Sequence, residues 1–389
     1  MGFQITSKIT SRISARLGAA ALMGLAGLSC AMLGCSSGDT QYMNAQERFE
    51  AFQPPLDTYA KMGYRRDWTG FPTMTAGGTV EFIDVLGDVV VVEESSNVLT
   101  VLEEGSGATR WFEQVASPLT KFVGNIRDDK HLISASESEA YFFDVETGNL
   151  VDKQPLDKVV NTRPVLVNDR LVFATSLGEI FAQLKTIGFR VWGNRISGSI
   201  QTNPAVMGPL LGFVSSTGEV IILDAATGVG QMRTQIFVGS DVDPAASDSM
   251  MFVASLDHSL YAFSPTSPAP VWRKRTEAPL REKPTYHDGR VYCSIDGTGL
   301  VAFDSRGENG NAKEVWTAKG VSGTVVGMRK NRLIVWNGSE VVMLDPADGG
   351  IVDRAPLPDV AFLKTDKFVD GNLYTCSSGG VVVKLVPRN

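Results

Sequence analysis

Three histidines are the first candidates for chemistry, in the settings RDDKHL (His131), LDHSL (His258) and YHDGR (His287). A catalytic or metal-binding imidazole needs partners held within hydrogen-bonding or coordination reach. Each of the three falls in a predicted turn, and the turns are far apart in the chain, so their spacing assembles no site. Adjacent carboxylates occur as Glu93-Glu94, Glu103-Glu104 and Asp128-Asp129. Neighbours on a strand point to opposite faces, and carboxylates in turns are usually solvated. None of these pairs is therefore expected to act as acid and base. The sequence carries no G-x-S-x-G elbow, no phosphate-cradling loop and no HExxH. It predicts no catalytic residue, no metal ligand and no cofactor-binding residue.

What the sequence does show is a beat. The stretch FFDVETGNL at 142–150 is an apolar run ending in an acidic, glycine-closed turn, and it returns as IILDAATGV, VAFDSRGEN and VMLDPADGG. Weaker copies read TVLEEGSGA, AQLKTIGFR and AFSPTSPAP. Aligned on the residue after the apolar run, the copies fall at Glu103, Asp144, Leu184, Asp224, Ser264, Asp304 and Asp345, with steps of 41, 40, 40, 40, 40 and 41 residues. Pro164, Pro204, Pro244 and Pro284 keep the same step, each at the opening of a strand, where a missing N–H costs least. A tryptophan stands four residues past the turn glycine at Trp111 and Trp192. Trp272 holds the equivalent place, and Trp316 follows the five-residue insertion ENGNA. Asp152, Met232 and Asp353 fill the slot in the other copies.

Each unit divides into about four short strands, as in PVLVND, RLVFATS, GEIFAQL and FRVWGNR, with Asn, Asp, Ser and Gly at the breaks. No helical periodicity of useful length appears between residues 70 and 389. Four strands per repeat of about 40 residues is the pattern of a β-propeller blade. Seven turn motifs are complete. The run GNLYTCSSGGVVVKLVPRN supplies the inner strands of an eighth and stops at Val386 before its tryptophan strand. RRDWTGF (Trp68) provides that strand from the other end of the chain. The expected fold is all-β: an eight-bladed propeller over residues 65–389, its ring closed by the N-terminal strand, which removes two exposed sheet edges.

A formal charge of -7 and 20% charged residues are ordinary for a soluble domain. Without Lys8, Arg12 and Arg16 the balance is 33 basic to 43 acidic side chains. With no basic stripe among aromatics, nucleic-acid binding is not expected. Those three basic residues stand in a charged, acid-free start that leads into LGAAALMGLAGLSCAMLG and then CSSGDT. This is the layout of a secretory signal. Leu33-Gly34-Cys35 resembles a bacterial lipobox, so residues 1–34 are expected to be a lipoprotein signal peptide with Cys35 as the lipidated residue. Met32 and Leu33 depart from the usual lipobox residues. Residues 35–64 read as a polar tether with a Pro-Pro break and a short helix at NAQERFEAF. Cys293 and Cys376 lie on corresponding strands of the sixth and eighth repeats, one residue out of phase and two blades apart. A disulfide needs Cα atoms within about 7 Å, so both are expected to be buried free thiols.

The recurrent L/F-D-x-x-T-G with its later tryptophan resembles the pyrroloquinoline-quinone (PQQ) type propeller repeat, over essentially all of residues 65–389. Two families share that repeat. Quinoprotein dehydrogenases hold PQQ and calcium in the funnel, commonly carry a vicinal Cys-Cys pair, and are longer through insertions between blades. This chain has no adjacent cysteines, and its longest insertion is about five residues. The BamB family comprises outer-membrane lipoproteins that act as scaffolds in β-barrel assembly without the cofactor. Resemblance to it implies a non-catalytic envelope scaffold, anchored in the outer membrane through Cys35 and facing the periplasm, with a β-barrel assembly protein as partner. Ser36 after Cys35 agrees with outer-membrane sorting in well-studied bacteria. The alternative is an anchored propeller with an unrelated envelope partner. The family also carries an S-D-V-D run at the start of its fifth blade, where its acidic pair contributes to partner binding. Here Ser240-Asp241-Val242-Asp243 occupies that place, which puts the implied partner contacts on Asp241 and Asp243. They are expected on one side of an extended strand, as a two-carboxylate patch. The family's second contact segment, an L-S-L-R type run, has no counterpart in SGSIQTNP from Ser197.

Overall fold

The computed structural model describes residues 42–52 and 56–388. Cys30, Cys35 and the expected signal peptide lie outside the described residues.

The described chain forms a β-propeller of four-stranded antiparallel meanders. In chain order they span residues 80–114, 122–155, 165–195, 205–235, 245–275, 285–318, 324–356 and 360–387, and are called blades 1 to 8 here. Tyr64–Gly70 is the fourth strand of blade 8, antiparallel to Val382–Pro387. The sequence expectation of ring closure by RRDWTGF is met.

Strand position explains strand composition. Second and third strands are covered on both faces and read as apolar runs, such as the fully buried Val89–Glu94. Outer strands alternate, as in Arg190–Arg195. No single core exists. Eight hydrophobic clusters among the described residues each sit in the seam between neighbouring blades. One joins Val172 and Ile180 of blade 3 to Leu211 and Phe213 of blade 4. The cluster of Val90, Val92, Tyr374 and Cys376 closes the circle between blades 1 and 8.

The repeated turn motif fastens these seams. In blade 2, Asp144 Oδ1 accepts from Thr147 N at 2.8 Å and Thr147 Oγ1 at 2.9 Å, which shapes the turn that Gly148 closes at φ +73°. The tryptophan of the preceding blade lies against that turn. Its indole N–H donates to the carbonyl of the residue after the acidic position: Trp68 to Glu104, Trp111 to Val145, Trp192 to Ala225, Trp272 to Ser305 and Trp316 to Pro346, at 2.8–3.2 Å. The glycine is required twice over, because a Cβ on Gly148 would lie 2.6 Å from the Trp111 ring.

The slots without tryptophan differ in solution. In blade 2 the slot holds Asp152, and Gln154 two residues on reaches the equivalent carbonyl of Lys185 at 2.7 Å. In blade 4 Met232 fills the space with buried apolar bulk. The insertion ENGNA lengthens the last hairpin of blade 6 until Asn311 pairs with Arg273, so blades 5 and 6 form one eight-stranded sheet.

Two sequence readings are corrected. The described part of the expected tether, from Tyr42 onward, is packed on the ring rather than free. Helix α1 (Ala45–Ala51) buries Arg48, whose guanidinium donates to the carbonyls of Pro72 and Gly380 at 2.8 and 3.2 Å. Helix α2 (Leu56–Lys61) brings Tyr59, and Met62 just after it, into the seam of blades 7 and 8 with Phe52. The polar composition of the segment concealed the few apolar side chains that dock it. Solvation of the turn carboxylates is also only partly met: Asp129 is exposed, but Glu104 and Asp128 are held by lysines of other blades. Glu93 and Glu94 are both buried. Glu104 meets Lys384 of blade 8 at 2.5 Å, and Asp128 meets Lys185 of blade 3 at 2.5 Å. Their charges are used between blades. Cys293 and Cys376 are free and buried, on opposite sides of their sheets, and burial pushes both thiols up to about 12.

Gly148→Ala and Gly208→Ala separate the two roles of the turn glycines. Both residues have positive φ, but nothing lies within 4 Å of a Cβ on Gly208. Each substitution is expected to cost about 1–2 kcal/mol of backbone strain. Overpacking against Trp111 should add about 1–3 kcal/mol for Gly148→Ala alone. Urea denaturation measures the difference, and equal losses would mean the indole does not constrain the glycine.

Candidate functional site

An antiparallel meander puts the turns between second and third strands on the same face of the ring as the loops that lead to the next blade. That face carries Asp241 and Asp243. They lie in a bend ahead of the two-residue strand Ala245–Ala246, not on an extended strand as expected. Ser240 Oγ donates to Val242 O at 2.8 Å and holds the bend.

Neither carboxylate is unpartnered. Asp241 Oδ2 accepts from Arg281 at 2.6 Å. Asp243 accepts from Asn203 N at 2.8 Å and Asn203 Nδ2 at 3.2 Å, with Lys283 Nζ at 3.4 Å. The physical reason is the repeat itself. Residues forty apart stand side by side in successive blades, so Arg281 and Lys283 arrive beside Asp241 and Asp243. Asn203 Oδ1 in turn accepts from Arg163 N at 2.8 Å. A ladder of residues preceding Pro164, Pro204, Pro244 and Pro284 thus ties the inner strands of blades 3 to 6 together.

Sequence reading missed Arg281 and Lys283, although the forty-residue step from Asp241 and Asp243 points to them. It also missed the apolar side chains of this face. Phe237 is 87% exposed and Leu177 70% exposed, with Leu119 and Val159 also exposed. Their loops are knit together by backbone bonds: Ile196 N to Gly178 O at 2.9 Å, Ser216 N to Ser199 O at 2.7 Å and Gly239 N to Ser216 O at 3.2 Å. The result is a firm surface with apolar side chains standing out of it, beside the Asp241–Arg281 pair. A cavity of about 560 Å³ adjoins that pair between blades 6 and 7, lined in part by Pro279, Arg281, Asp296 and Val321.

The histidines build no site. His131 heads the strand His131–Ser136 with its ring 3.3 Å from Asp128, and His287 ends the strand Thr285–His287, stacked on Phe368. These two are strand-end residues rather than the expected turn residues. His258 is in a turn at φ +65°. No cluster of three metal-ligating side chains occurs among the described residues. In the channel, Lys364 of blade 8 is solvent-accessible yet ringed by protein. Burial lowers its pKa, Asp84 and Asp243 oppose the shift, and Arg163 and Lys283 add to it. Side chains from five blades therefore converge on the axis.

A family model described as outer membrane protein assembly factor BamB matches residues 72–234 and 229–385. The chain belongs to that family. Among solved structures, BamB from Moraxella catarrhalis matches with a TM-score of 0.62 and 18% identity, over 78% of this chain and 93% of that one. The computationally designed Ika8 protein matches with a TM-score of 0.65 and 10% identity, over 82% and 99%. These likenesses are of fold. No curated protein matches the sequence. Within this BamB-family chain, SGSIQTNP folds as a loop against blade 4: Ser197 N donates to Glu219 at 2.6 Å and Ile200 is buried. It presents no arginine to the face.

The two aspartates should separate in a stability measurement. Asp243→Ala leaves the Asn203 amide and Lys283 without their acceptor and is expected to cost about 1–3 kcal/mol. Asp241→Ala removes one exposed ion pair and should change stability by less than about 1 kcal/mol. Thermal unfolding of the two variants checks the order, and an equal effect would remove Asp243 from the inter-blade ladder.

Proposed function

We propose that this protein is a non-catalytic scaffold of the cell envelope, which uses the loop face of blades 3 to 5 to hold a protein partner in outer-membrane β-barrel assembly. The observation that carries the reading is the family match, which spans nearly the whole propeller under the description of an assembly factor. The face supports it. Phe237 and Leu177 are large apolar side chains on a rigid surface, with charged residues at Asp241 and Arg281 beside them. Apolar anchors inside a polar rim are the composition of protein interfaces. Asp241, the more exposed of the two aspartates, takes the direct contact, and Asp243 ties the segment to Asn203 ahead of the preceding blade.

The scaffold is tethered through lipidated Cys35 to the outer membrane, on its periplasmic side. Two or more acyl chains give stable attachment where one does not. The chain lacks the vicinal cysteines and long inter-blade insertions of the dehydrogenases that share this repeat, so the propeller works without PQQ.

Photo-crosslinking in intact cells from position 237 tests the partner. The expected product is a barrel protein with periplasmic domains, and Phe237→Ala should weaken its capture at least tenfold. Recovery of an unrelated envelope enzyme instead would support the alternative of an anchored propeller with a different partner. Cys35→Ser is expected to release the protein from membranes into the periplasm. Retention in the membrane fraction after a salt wash would contradict the anchor.

A further inference from the structure

Four polar side chains join blades 1, 2 and 3 near the channel, and neither ring closure nor the partner face uses them. Asp84 comes from the inner strand Val80–Leu86, Glu93 from the second strand Val89–Glu94, and Asn125 from the inner strand Phe122–Arg127 of blade 2. Arg163 precedes blade 3. Asn125 Nδ2 donates to Glu93 Oε2 at 3.2 Å and reaches Asp84 Oδ2 at 3.5 Å. Arg163 pairs with Asp84 Oδ1 at 2.6 Å. To do so, the side chain from blade 3 crosses blade 2, and Gly124 makes the crossing passable. Gly124 has φ +143°, and a Cβ there would lie 2.8 Å from the Arg163 Nε and 2.9 Å from its Cγ.

The set is incompletely satisfied. Glu93 is 1% exposed, and neither its Oε1 nor Asn125 Oδ1 has a hydrogen-bond partner among the described residues. Buried polar atoms left this way are costly and sit where a small change in charge is strongly felt. The charges facing Glu93 are Asp84 and Glu81 from its own blade and Arg163 from blade 3, while blade 2 contributes the neutral Asn125 and, across the cavity that Glu81 and Glu93 line, Lys121. Arg163 is bonded to Asp84 alone and acts on Glu93 from a distance, and Lys364 of blade 8 also faces Asp84.

We propose that Asp84, Glu93, Asn125 and Arg163 form a proton-linked latch, which holds blades 1 to 3 closed while Glu93 carries its proton and loosens the seam between blades 1 and 2 when that proton is lost. Burial pushes Glu93 up to about 8. The Asn125 hydrogen bond and Arg163 oppose the rise, and Asp84 and Glu81 add to it. In an opened seam Glu93 meets water and returns towards its ordinary 4.5. The closed seam therefore keeps a proton that the open one releases. Its advantage is complete below about 4.5, falls as pH rises through about 8, and changes no further above that. Between pH 6 and 8 the linkage raises the population of the open seam about 50-fold.

Two measurements on the full chain test the latch. Carboxyl-carbon NMR should show Glu93 titrating near pH 8. Amide exchange in Phe122–Arg127, corrected for intrinsic rates, should lose protection about 50-fold from pH 6 to 8, while Ala205–Met207 of blade 4 should not change. Glu93→Gln keeps the shape and the Asn125 contact but cannot ionise, so it should abolish the pH dependence in Phe122–Arg127. Titration of Glu93 below pH 6, or the same loss of protection in Glu93→Gln, would overturn the proposal. If the variant failed to fold, the titration of the native carboxyl would decide alone.

Discussion

At five of the eight seams a blade is held to the next by an indole N–H reaching a backbone carbonyl in the neighbouring turn. The ring has no common core, so its stability lies in its seams, and this bond sets the geometry of five of them. It requires a turn of fixed shape one blade along, which Asp144 and Asp224 build with the Thr three residues later. It requires a glycine beneath the ring, at Gly107, Gly148, Gly228, Gly307 and Gly349. It also requires that tryptophan and turn coincide at each of those five steps around the circle. The near-constant period of 40 residues is what that coincidence looks like in sequence.

Once the period is fixed, polar residues forty apart become neighbours without further design. Asp241 meets Arg281, Asp243 meets Lys283, and Lys274 meets Glu314. These contacts stitch the inner and outer strands of adjacent blades and leave the loop face free to vary. Phe237 and Leu177 stand on that face, in loops tied to their neighbours by backbone hydrogen bonds. Seams thus carry the stability, and the proposed scaffold role draws on the face they leave free.

The repeat, the strand count per blade, the closing strand and the free thiols were legible in the sequence, because each depends on a pattern that recurs or on a missing copy that is supplied elsewhere. What depended on single side chains was not. Phe52, Tyr59 and Met62 dock a segment whose composition reads as a tether. Glu93 and Glu94 end the run VVVVEE, and nothing local says that neighbouring blades bury them. Asp241 and Asp243 were found through a family resemblance, but their internal partners follow only from counting forty residues onward. Gln154, which stands in for a missing indole, is offset by two residues from the slot and escapes any alignment of the motif.

The ring depends most heavily on the indole bonds between blades, and their N–H protons report on them directly. Hydrogen exchange at the five side chains of Trp68, Trp111, Trp192, Trp272 and Trp316, followed by NMR, is the sharpest measurement. If the seams hold the ring, all five indole protons should be strongly protected, and Gly148→Ala should speed exchange at Trp111 well beyond the others. Exchange of these protons as fast as in an exposed tryptophan, in a protein that is otherwise folded, would contradict the account.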